Sequence, residues 1–294
     1  MTVDVVVVSY NSRDTLRACV EPLLALPGVQ VTVVDNDSPD ASLEAVADLP
    51  VRAIQSGRNG GFGFGCNIGA AAGSAPLILF INPDAEITDG ALTRMAAVLE
   101  AEPDVALVGP RLTEEDGELM HSMRRYQRTR SMWAQALYLH RVFPRARWAN
   151  EIDYRPEHYS TPAYPEWVSG ACMLVRRTAF EALGGFDDGF FLYCEDQDLC
   201  RRLRAVGSRI RYEPSAVVSH RGGHSAPRTS LYPVLAQSRI RFARKHNGRH
   251  QAALQRAAIA TEALTHALAG IPARPAHSRG HRAALRASLQ RPVA

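Results

Sequence analysis

The chain has 294 residues, 46% of them hydrophobic and 22% charged, which is the composition of an ordinary globular protein with one large domain or a domain plus an appendage. Its longest apolar runs, such as LILFI, are too short to span a membrane, and no basic segment precedes an apolar stretch at the N-terminus, so no signal peptide is expected. Five cysteines without paired metal-site spacing predict a reducing, cytoplasmic location.

The net charge of +4 conceals a strong asymmetry. Residues 201–294 contain 18 Arg or Lys and two acids, a balance of +16, whereas residues 1–200 contain 16 basic and 28 acidic residues, a balance of −12. Such asymmetry predicts that the C-terminal part faces an anionic partner: a membrane surface, a nucleic acid or a diphosphate group.

The first hundred residues alternate predicted strands and helices. The predicted strands are VDVVVVSY, VQVTVVDN, VRAIQS and APLILFINPDAE. Helices are predicted after Asn11 and Ser12, over SPDASLEAVADL, and within the glycine-rich GRNGGFGFGCNIGAAAG. This alternation predicts an α/β fold with a mostly parallel sheet that is covered on both faces.

Residues 118–166 are rich in Arg, Tyr, Trp and His and show little periodicity. After them, WVSGACMLVRR predicts a strand, Thr178 and Glu181 predict a capping box for a short helix, and Gly184–Gly185 ends it. A helix closing at Gly207 and two short strands, RIRYEP and AVVSH, follow. From about residue 229 only Arg- and Ala-rich helix is predicted.

Polar clusters follow three predicted strands, at the sheet edge where ligands bind in parallel α/β folds. Asp84 and Glu86 could bind a hard divalent ion that neutralises a nucleotide diphosphate, or form a polar turn. Asp35 could accept hydrogen bonds from a ribose or base, while Ser38 or Asp40 could cap the next helix.

The glycine-rich segment does not fit the dinucleotide-binding fingerprint, because Gly61, Gly63, Gly65 and Gly69 have the wrong spacing. A nucleotide-dependent oxidoreductase is therefore disfavoured. We expect these glycines to let the backbone approach a ligand, with amides from Asn59 and Asn67 nearby.

Three acids, Glu195, Asp196 and Asp198, fall within four positions at a predicted helix N-terminus. They form either a solvated helix start or a site that transfers a proton or binds a metal. His220, at a strand end, is either structural or a metal ligand, and His224 is expected on the surface or in a loop.

In combination and in this order, the segments resemble the inverting family 2 glycosyltransferases with the GT-A fold (a Rossmann-like fold for nucleotide-diphospho-sugar transferases), especially bacterial rhamnosyltransferase-like members. The resemblance covers about residues 3–224. It is carried by VVVSYNS, VVDNDSPD, NGGFGFGCNIG, LFINPDAEI, VSGACMLVRRTAFEALGGFDDGFFLYCEDQDLCRRL and HRGGHS.

The resemblance implies roles for individual residues. Asp196 would be the catalytic base, and Glu195 and Asp198 would orient the loop or contact the acceptor. Asn82–Pro83–Asp84 stands where the family has its Asp-x-Asp motif, so Asp84 would bind Mg²⁺ or Mn²⁺ with His220 as second ligand. The residues expected to bind the nucleotide sugar are Ser9, Tyr10, Asn11, Asp35, Asn67, Asn82 and Asp84.

The resemblance also implies a domain plan and a reaction. Residues 1–228 would form the GT-A domain, with an acceptor-side insertion at 118–166, and residues 229–294 a basic helical extension. The expected reaction transfers L-rhamnose from dTDP-rhamnose to a glycan or polyprenyl-diphosphate-linked acceptor. The alternatives are a galactofuranosyl or other hexosyl transferase using a UDP-sugar, or a nucleotide- or nucleic-acid-binding protein without transferase activity.

The basic extension and the Arg- and aromatic-rich segment, with Trp133, Tyr138, Phe143 and Trp148, predict peripheral contact with the inner face of the cell membrane. A solvated helical face that covers the core is the other interpretation. No nucleic-acid partner is expected, because the extension has few aromatic residues to stack on bases.

Overall fold

The computed structural model describes residues 2–88, 90–222, 228–270 and 275–290. The chain divides into two compact units. The sheet unit comprises Met1–Arg124, Pro156–Gly189 and Glu195–Ser225, and the helical unit comprises Arg125–Arg155, Phe190–Cys194 and Ala226–Ala294. Residues 125–155 of the predicted insertion thus group with the C-terminal helices.

Among the described residues, the strands form one nine-stranded and one two-stranded sheet. In chain order they are β1 (Val3–Ser9), β2 (Val29–Asp35), β3 (Arg52–Gln55), β4 (Leu77–Ile81), β5 (Ala85–Ile87), β6 (Val105–Thr113), β7 (Leu119–Met120), β8 (Met123–Arg124), β9 (Trp167–Val168), β10 (Cys172–Arg176) and β11 (Arg209–His220).

The α-helices are α1 (Arg13–Leu24), α2 (Phe62–Ala71), α3 (Ala91–Ala101), α4 (Thr129–Ala136), α5 (Leu139–Val142), α6 (Arg177–Ala182), α7 (Glu195–Ala205), α8 (Arg228–His246), α9 (Arg249–Gly270) and α10 (Pro275–Leu289). Two short 3-10 helices cover Ser42–Val46 and Pro156–Tyr159.

The large sheet has the order β3-β2-β1-β4-β10-β6-β11-β5, with β7 paired to β6. Strands β3, β2, β1 and β4 are parallel, and β10 lies antiparallel between β4 and β6. Since β11 is parallel to β6, six strands run in one direction, whereas β10, β5 and β7 run in the other. The predicted α/β fold with a mostly parallel sheet is confirmed.

Strand β1 is buried along its whole length because helices cover both faces of the sheet. Its side chains alternate between two cores: Val3, Val5 and Val7 pack in one with α1 and α3, whereas Val6 and Val8 pack in the other with α2, α6 and α7. This two-sided burial accounts for the unbroken valine run.

The glycines of α2 allow this helix to pack tightly on β1. A Cβ atom at Gly69 would lie 2.3 Å from Val6 Cγ1, and one at Gly65 would lie 2.7 Å from Val8 Cγ1. The expectation that these two glycines admit a ligand is therefore wrong: they admit the side chains of the neighbouring strand.

Four element predictions need correction. SPDASLEAVADL forms only the 3-10 helix Ser42–Val46, because the Asp40 carboxylate accepts hydrogen bonds from Ser42 N–H and Oγ and from Arg13 N–H. WVSGACMLVRR is interrupted between β9 and β10, where the Gly170 N–H donates to Asp196 and not to a strand.

The other two corrections concern α6 and β11. Helix α6 begins at Arg177, so Thr178 lies within its first turn and caps nothing. RIRYEP and AVVSH form the single strand β11, whose register against β6 shifts between Glu213 and Val217.

A buried ion pair lies at the amino end of β1. Arg177 Nη2 donates to Asp4 Oδ2 at 2.7 Å, and the side chains are 9% and 6% exposed. Arg177 also donates to the carbonyls of Ala70 and Ala75, and Ala75 N–H donates to Asp4. The pair thus joins β1, the end of α2 and the start of α6.

The helical unit has its own apolar core. Met132 of α4 packs there with Ile240 of α8, Ile259 and Ala263 of α9 and Ala284 of α10. The helices predicted from about residue 229 are confirmed. Within the described ranges, every helix is too short or too polar to cross a lipid bilayer.

Candidate active site

The parallel strands β1 and β2 end side by side, with Ser9 in register with Asp35. At these ends three buried oxygens have no hydrogen-bond partner among the described residues: Ser9 Oγ, Asp35 Oδ1 and Asn36 Oδ1. Buried polar groups are normally paired. Ser9 Oγ and Asp35 Oδ1 belong to residues in register on neighbouring strands, and they are suited to hydrogen bonds with the hydroxyl and N–H groups of a ligand.

Serine side chains hold the backbone that follows these strand ends. Asn11 has a positive φ of 53°, and its N–H donates to Ser38 Oγ at 3.2 Å. Ser38 N–H in turn donates to Asp35 Oδ2 at 2.9 Å. Tyr10 directly follows β1 and is half-buried, with its N–H directed at Ser12 Oγ. The structure thus brings Ser9, Tyr10, Asn11 and Asp35 to one edge of the sheet.

Asn82, Asp84 and His220 converge at the next part of that edge, although 138 residues separate the first from the last. His220 Nε2 lies 3.2 Å from Asp84 Oδ1 and 3.2 Å from Asn82 Nδ2. The antiparallel pairing of β11 with β5, which aligns His220 with Ala85, produces this arrangement.

This group fits a divalent ion. Two ligands bound at adjacent positions to one ion at about 2.1 Å lie about 3 Å apart, close to the separation of His220 Nε2 and Asp84 Oδ1. The Asp84 carboxylate and the His220 imidazole form a weakly charged ligand pair, and the Asn82 amide contacts His220 through its nitrogen.

Asn67 takes a different place from the other predicted donor-binding residues. Its Nδ2 donates to the Phe186 carbonyl and to Asp188 Oδ1, and its Oδ1 accepts from Phe186 N–H. In this structure the amide connects α2 to residues 186–188, so the contact between Asn67 and a donor stays a prediction.

Asp196 lies in the first turn of α7, as the sequence predicts. Its Oδ2 accepts from Gly170 N–H at 2.9 Å, and its Oδ1 accepts from Gln197 N–H at 2.7 Å. The next residue of the same loop, Ala171, accepts from Asn82 N–H at 2.9 Å. Two consecutive residues therefore connect Asp196 to the loop that carries Asp84.

The neighbouring acids Glu195 and Asp196 have different environments, which shift their pKa values differently. Burial, followed by the charge of Asp196, raises the pKa of Glu195 well above its usual value, and Glu195 Oε2 has no hydrogen-bond partner among the described residues. Burial also raises the pKa of Asp196, but two backbone N–H groups and the nearby Arg124 oppose that shift. The charged form is therefore better stabilised at Asp196 than at Glu195.

Asp198 is fully buried and forms an ion pair with Arg202, whose Nε lies 2.7 Å from Asp198 Oδ2. Arg202 also donates to the carbonyls of Leu183 and Gly185. Of the two roles expected for Asp198, orienting a loop matches this placement, whereas a contact with an acceptor would require an exposed side chain.

Sequence reasoning missed three residues of the site. Gly170 allows the side chain of Asp196 to come close to the backbone, because a Cβ atom at position 170 would lie 3.3 Å from Asp196. Arg124 stabilises the charged form of Asp196 from the small β8–β9 sheet, and Asn36 adds an unpaired oxygen beside Asp35. Of the three, only Asn36 could have been found from the local sequence, because it lies within VVDNDS directly after Asp35. His224 lies outside the described residues.

The residues immediately before α7 have unusual backbone conformations. Tyr193 and Cys194 both have positive φ, 69° and 66°. Side chains other than glycine rarely adopt this region, and such residues concentrate at functional sites. This conformation turns the chain sharply just before it enters the helix that carries Asp196.

Comparisons with known proteins concern the family and the fold. The profile of the family described as "Glycosyl transferase family 2" matches residues 4–184. An N-acetylglucosaminyl-diphospho-decaprenol L-rhamnosyltransferase of Mycobacterium tuberculosis is 32% identical over 244 residues, which cover 77% of this chain and 78% of that protein. The rhamnosyltransferase WbbL of Escherichia coli is 46% identical over 59 residues, 20% of this chain and 22% of that one.

Solved structures are similar in fold. The mannosyltransferase PcManGT of Pyrobaculum calidifontis, solved in complex with GDP-Man and Mn²⁺, has a TM-score of 0.58 at 17% identity, covering 97% of this chain and 85% of that one. The match to the family profile and the M. tuberculosis relative together show that this chain belongs to glycosyl transferase family 2 and has the GT-A fold.

Proposed function

We propose that the protein is an inverting rhamnosyltransferase that moves L-rhamnose from dTDP-rhamnose to a glycan on a polyprenyl diphosphate, in the synthesis of a cell-envelope polysaccharide. The observation that carries this proposal is the connection of the ionisable Asp196, through Gly170 and Ala171, to the Asn82–Asp84–His220 group. The name of the M. tuberculosis relative supports the sugar and the acceptor class.

Asp196 is the base in this proposal. Its carboxylate accepts the proton of an acceptor hydroxyl while that oxygen forms a bond to the anomeric carbon of the sugar. The bond between that carbon and the diphosphate oxygen breaks at the same time, and the nucleoside diphosphate leaves with the electron pair. One displacement on the face opposite the leaving group inverts the anomeric configuration.

Asp84 and His220, assisted by Asn82, would hold Mg²⁺ or Mn²⁺. The ion, when bound, would neutralise charge that develops on the leaving diphosphate. Because only Asp84 supplies a full negative charge, we expect the ion to bind weakly until the nucleotide adds its own oxygens. Ser9, Asp35 and Asn36 would receive the nucleoside, since their unpaired buried oxygens can accept its hydroxyl and N–H groups.

A donor screen tests the proposed reaction. The full-length protein, supplied with a polyprenyl-diphosphate-linked N-acetylglucosamine acceptor and Mg²⁺ or Mn²⁺, should consume dTDP-rhamnose much faster than UDP-galactofuranose, UDP-glucose or GDP-mannose. The product should carry the anomeric configuration opposite to that of the donor, as measured by NMR. Preferential use of a UDP-hexose would contradict the rhamnose assignment, and retention of configuration would contradict the single displacement.

Metal-dependent nucleotide binding should depend on Asp84. In Asp84→Asn, dTDP binding in the presence of Mn²⁺ should weaken by about 10-fold or more, since the variant loses the charged ligand. Binding of thymidine, which lacks the diphosphate, should be unchanged and serves as the control. Calorimetric titration with each compound measures both.

His220→Ala separates the two interpretations of His220. If His220 is a metal ligand, the variant should require a higher Mn²⁺ concentration for half-maximal activity. A lower melting temperature with an unchanged metal requirement would show instead that His220 is only structural.

We propose further that the helical unit contacts the cytoplasmic membrane surface. Its segment 137–148 exposes apolar side chains together with Arg141, Arg145 and Arg147. The exposed apolar residues are Leu137, Leu139, Val142, Phe143 and Trp148. Exposed aromatic and aliphatic groups between basic residues suit an anionic lipid surface, where each basic residue contributes about 1 kcal/mol.

Co-sedimentation with liposomes measures this contact. The wild type should sediment with vesicles that contain anionic lipid at low salt, and much less with neutral vesicles or at high salt. Replacing Val142, Phe143 and Trp148 by Ser should reduce binding severalfold, whereas the same change at Leu254, an exposed residue of α9, should have little effect. Equal binding of both variants would exclude segment 137–148 as the contact.

A further inference from the structure

Three histidines of the helical unit lie together and have no part in the proposed transferase reaction. They are His266 of α9 and His277 and His281 of α10, and one ring nitrogen from each lies within 4.8 Å of the other two. We refer to them as the histidine cluster. His277 and His281 are four positions apart, a spacing that places both rings on the same face of a helix.

The distances within the cluster match a nitrogen-ligated metal. His277 Nε2 and His281 Nε2 are 3.2 Å apart. Two imidazole nitrogens bound to one tetrahedral Zn²⁺ at about 2.0–2.1 Å lie about 3.4 Å apart. The pair therefore needs little movement to share one ion.

A hydrogen bond between these two rings is the simpler explanation of the 3.2 Å distance, but it leaves His266 unexplained. His266 Nε2 is buried and has no hydrogen-bond partner among the described residues. A third imidazole with an unpaired nitrogen beside two others is costly unless something bridges them. A metal ion would use all three nitrogens.

The surroundings orient the rings. Tyr232 OH lies 3.0 Å from His277 Nδ1, which leaves Nε2 of the same ring available for an ion. Tyr138 stacks on His266 with 4.4 Å between ring centroids, and Tyr232 stacks on His281 at 4.3 Å. Partners on the far side of a ligating imidazole fix its orientation and strengthen metal binding.

We propose that His266, His277 and His281 bind one Zn²⁺ ion that joins α9 to α10, with a water molecule as the fourth ligand. Three neutral nitrogen ligands favour Zn²⁺ over Mg²⁺ or Mn²⁺, which prefer oxygen. The site is therefore chemically distinct from the Asp84–His220 group, where a carboxylate and an amide take part. It does not depend on the proposed transferase reaction.

The test uses the full-length protein without an affinity tag, stripped with EDTA and then exchanged into chelator-free buffer. Titration calorimetry should show about one Zn²⁺ per chain at this site, and Zn²⁺ should raise the melting temperature by several degrees. Co²⁺ should give the visible absorption of a tetrahedral ion with nitrogen and oxygen ligands, without the thiolate charge-transfer bands that ligation by cysteine produces.

His277→Ala and His281→Ala should each weaken Zn²⁺ binding by more than about 100-fold and abolish the Co²⁺ spectrum. His250→Ala, at an exposed position on α9, and His220→Ala should both retain them. Circular dichroism of the metal-free variants verifies that they fold. An absence of Zn²⁺ binding in the wild type, or binding that survives both cluster substitutions, would overturn the proposal.

Discussion

Asp196→Asn is expected to lower kcat by about 10²- to 10⁴-fold while leaving dTDP binding nearly unchanged. The amide is almost the same size as the carboxylate but cannot accept the acceptor's proton at neutral pH. Steady-state transfer assays and calorimetric titration with dTDP measure the two effects separately.

The variant also disturbs local hydrogen bonds, so stability must be followed in parallel. Asn has one acceptor oxygen, whereas Asp196 accepts from both Gly170 N–H and Gln197 N–H. We expect a loss of about 1 kcal/mol in the free energy of unfolding, too small to account for the lost rate. Melting curves in the presence of nucleotide provide this control.

The neighbouring acids serve as matched variants. Glu195→Gln should retain most of kcat, because burial raises the pKa of Glu195 and disfavours its charged form, and the neutral amide preserves its shape. Asp198→Asn should lower stability by breaking the Asp198–Arg202 pair but should leave kcat of the folded protein within about 10-fold of the wild type. If Glu195→Gln were inactive and Asp196→Asn active, the roles of the two acids would be reversed.

The pH profile provides a second measure of the same base. Burial raises the pKa of Asp196, and only its ionised form can accept a proton. The value of kcat/KM should therefore fall as the pH drops through this raised pKa, at a pH above the usual aspartate value of about 3.9. An acidic limb at or below that value would contradict the raised pKa of Asp196.

Arg177→Met is expected to destabilise the sheet unit by about 3–5 kcal/mol, the cost of leaving one member of a buried ion pair without its partner. Asp4 would remain buried with only the Ala75 N–H, and the carbonyls of Ala70 and Ala75 would each lose a hydrogen bond from Arg177. Urea denaturation followed by intrinsic fluorescence measures the loss.

Two further variants test whether the loss of stability arises from the burial of the ion pair. In Asp4→Leu/Arg177→Met, no charge remains unpaired, so the double variant should be more stable than the sum of its single changes implies. Arg17→Ala, which removes exposed pairs with Glu21 and Asp48, should cause a much smaller loss. Comparable losses of unfolding free energy for Arg17→Ala and Arg177→Met would show that the buried pair contributes no more to stability than the exposed pairs.

The Arg177 variant should spare catalysis in molecules that remain folded. Asp4 lies five residues before Ser9 along β1, about 16 Å from the strand end where we propose that the nucleotide binds. Thus kcat per folded molecule should be retained below the melting temperature. A specific loss of kcat would indicate coupling between the two ends of the sheet.

Much of this protein could be predicted from local sequence pattern. The apolar run of β1 and the helical spacing of α7 depend on neighbouring residues, so the parallel sheet and the position of Asp196 at a helix start were predictable. The strand ends after Ser9, Asp35 and Ile81 likewise indicated the edge where a ligand binds.

Other features depend on residues that are distant in the chain, and only the tertiary structure decided them. The sequence left His220 open between a structural and a ligand role, and the pairing of β11 with β5 places it 3.2 Å from Asp84. Glu195 and Asp196 are adjacent and chemically similar. They differ because Gly170 and Arg124 stabilise only the charged form of Asp196, whereas Glu195 is buried without such partners. Local pattern cannot reveal which carboxyl loses water and which gains a donor, because both depend on how distant segments pack.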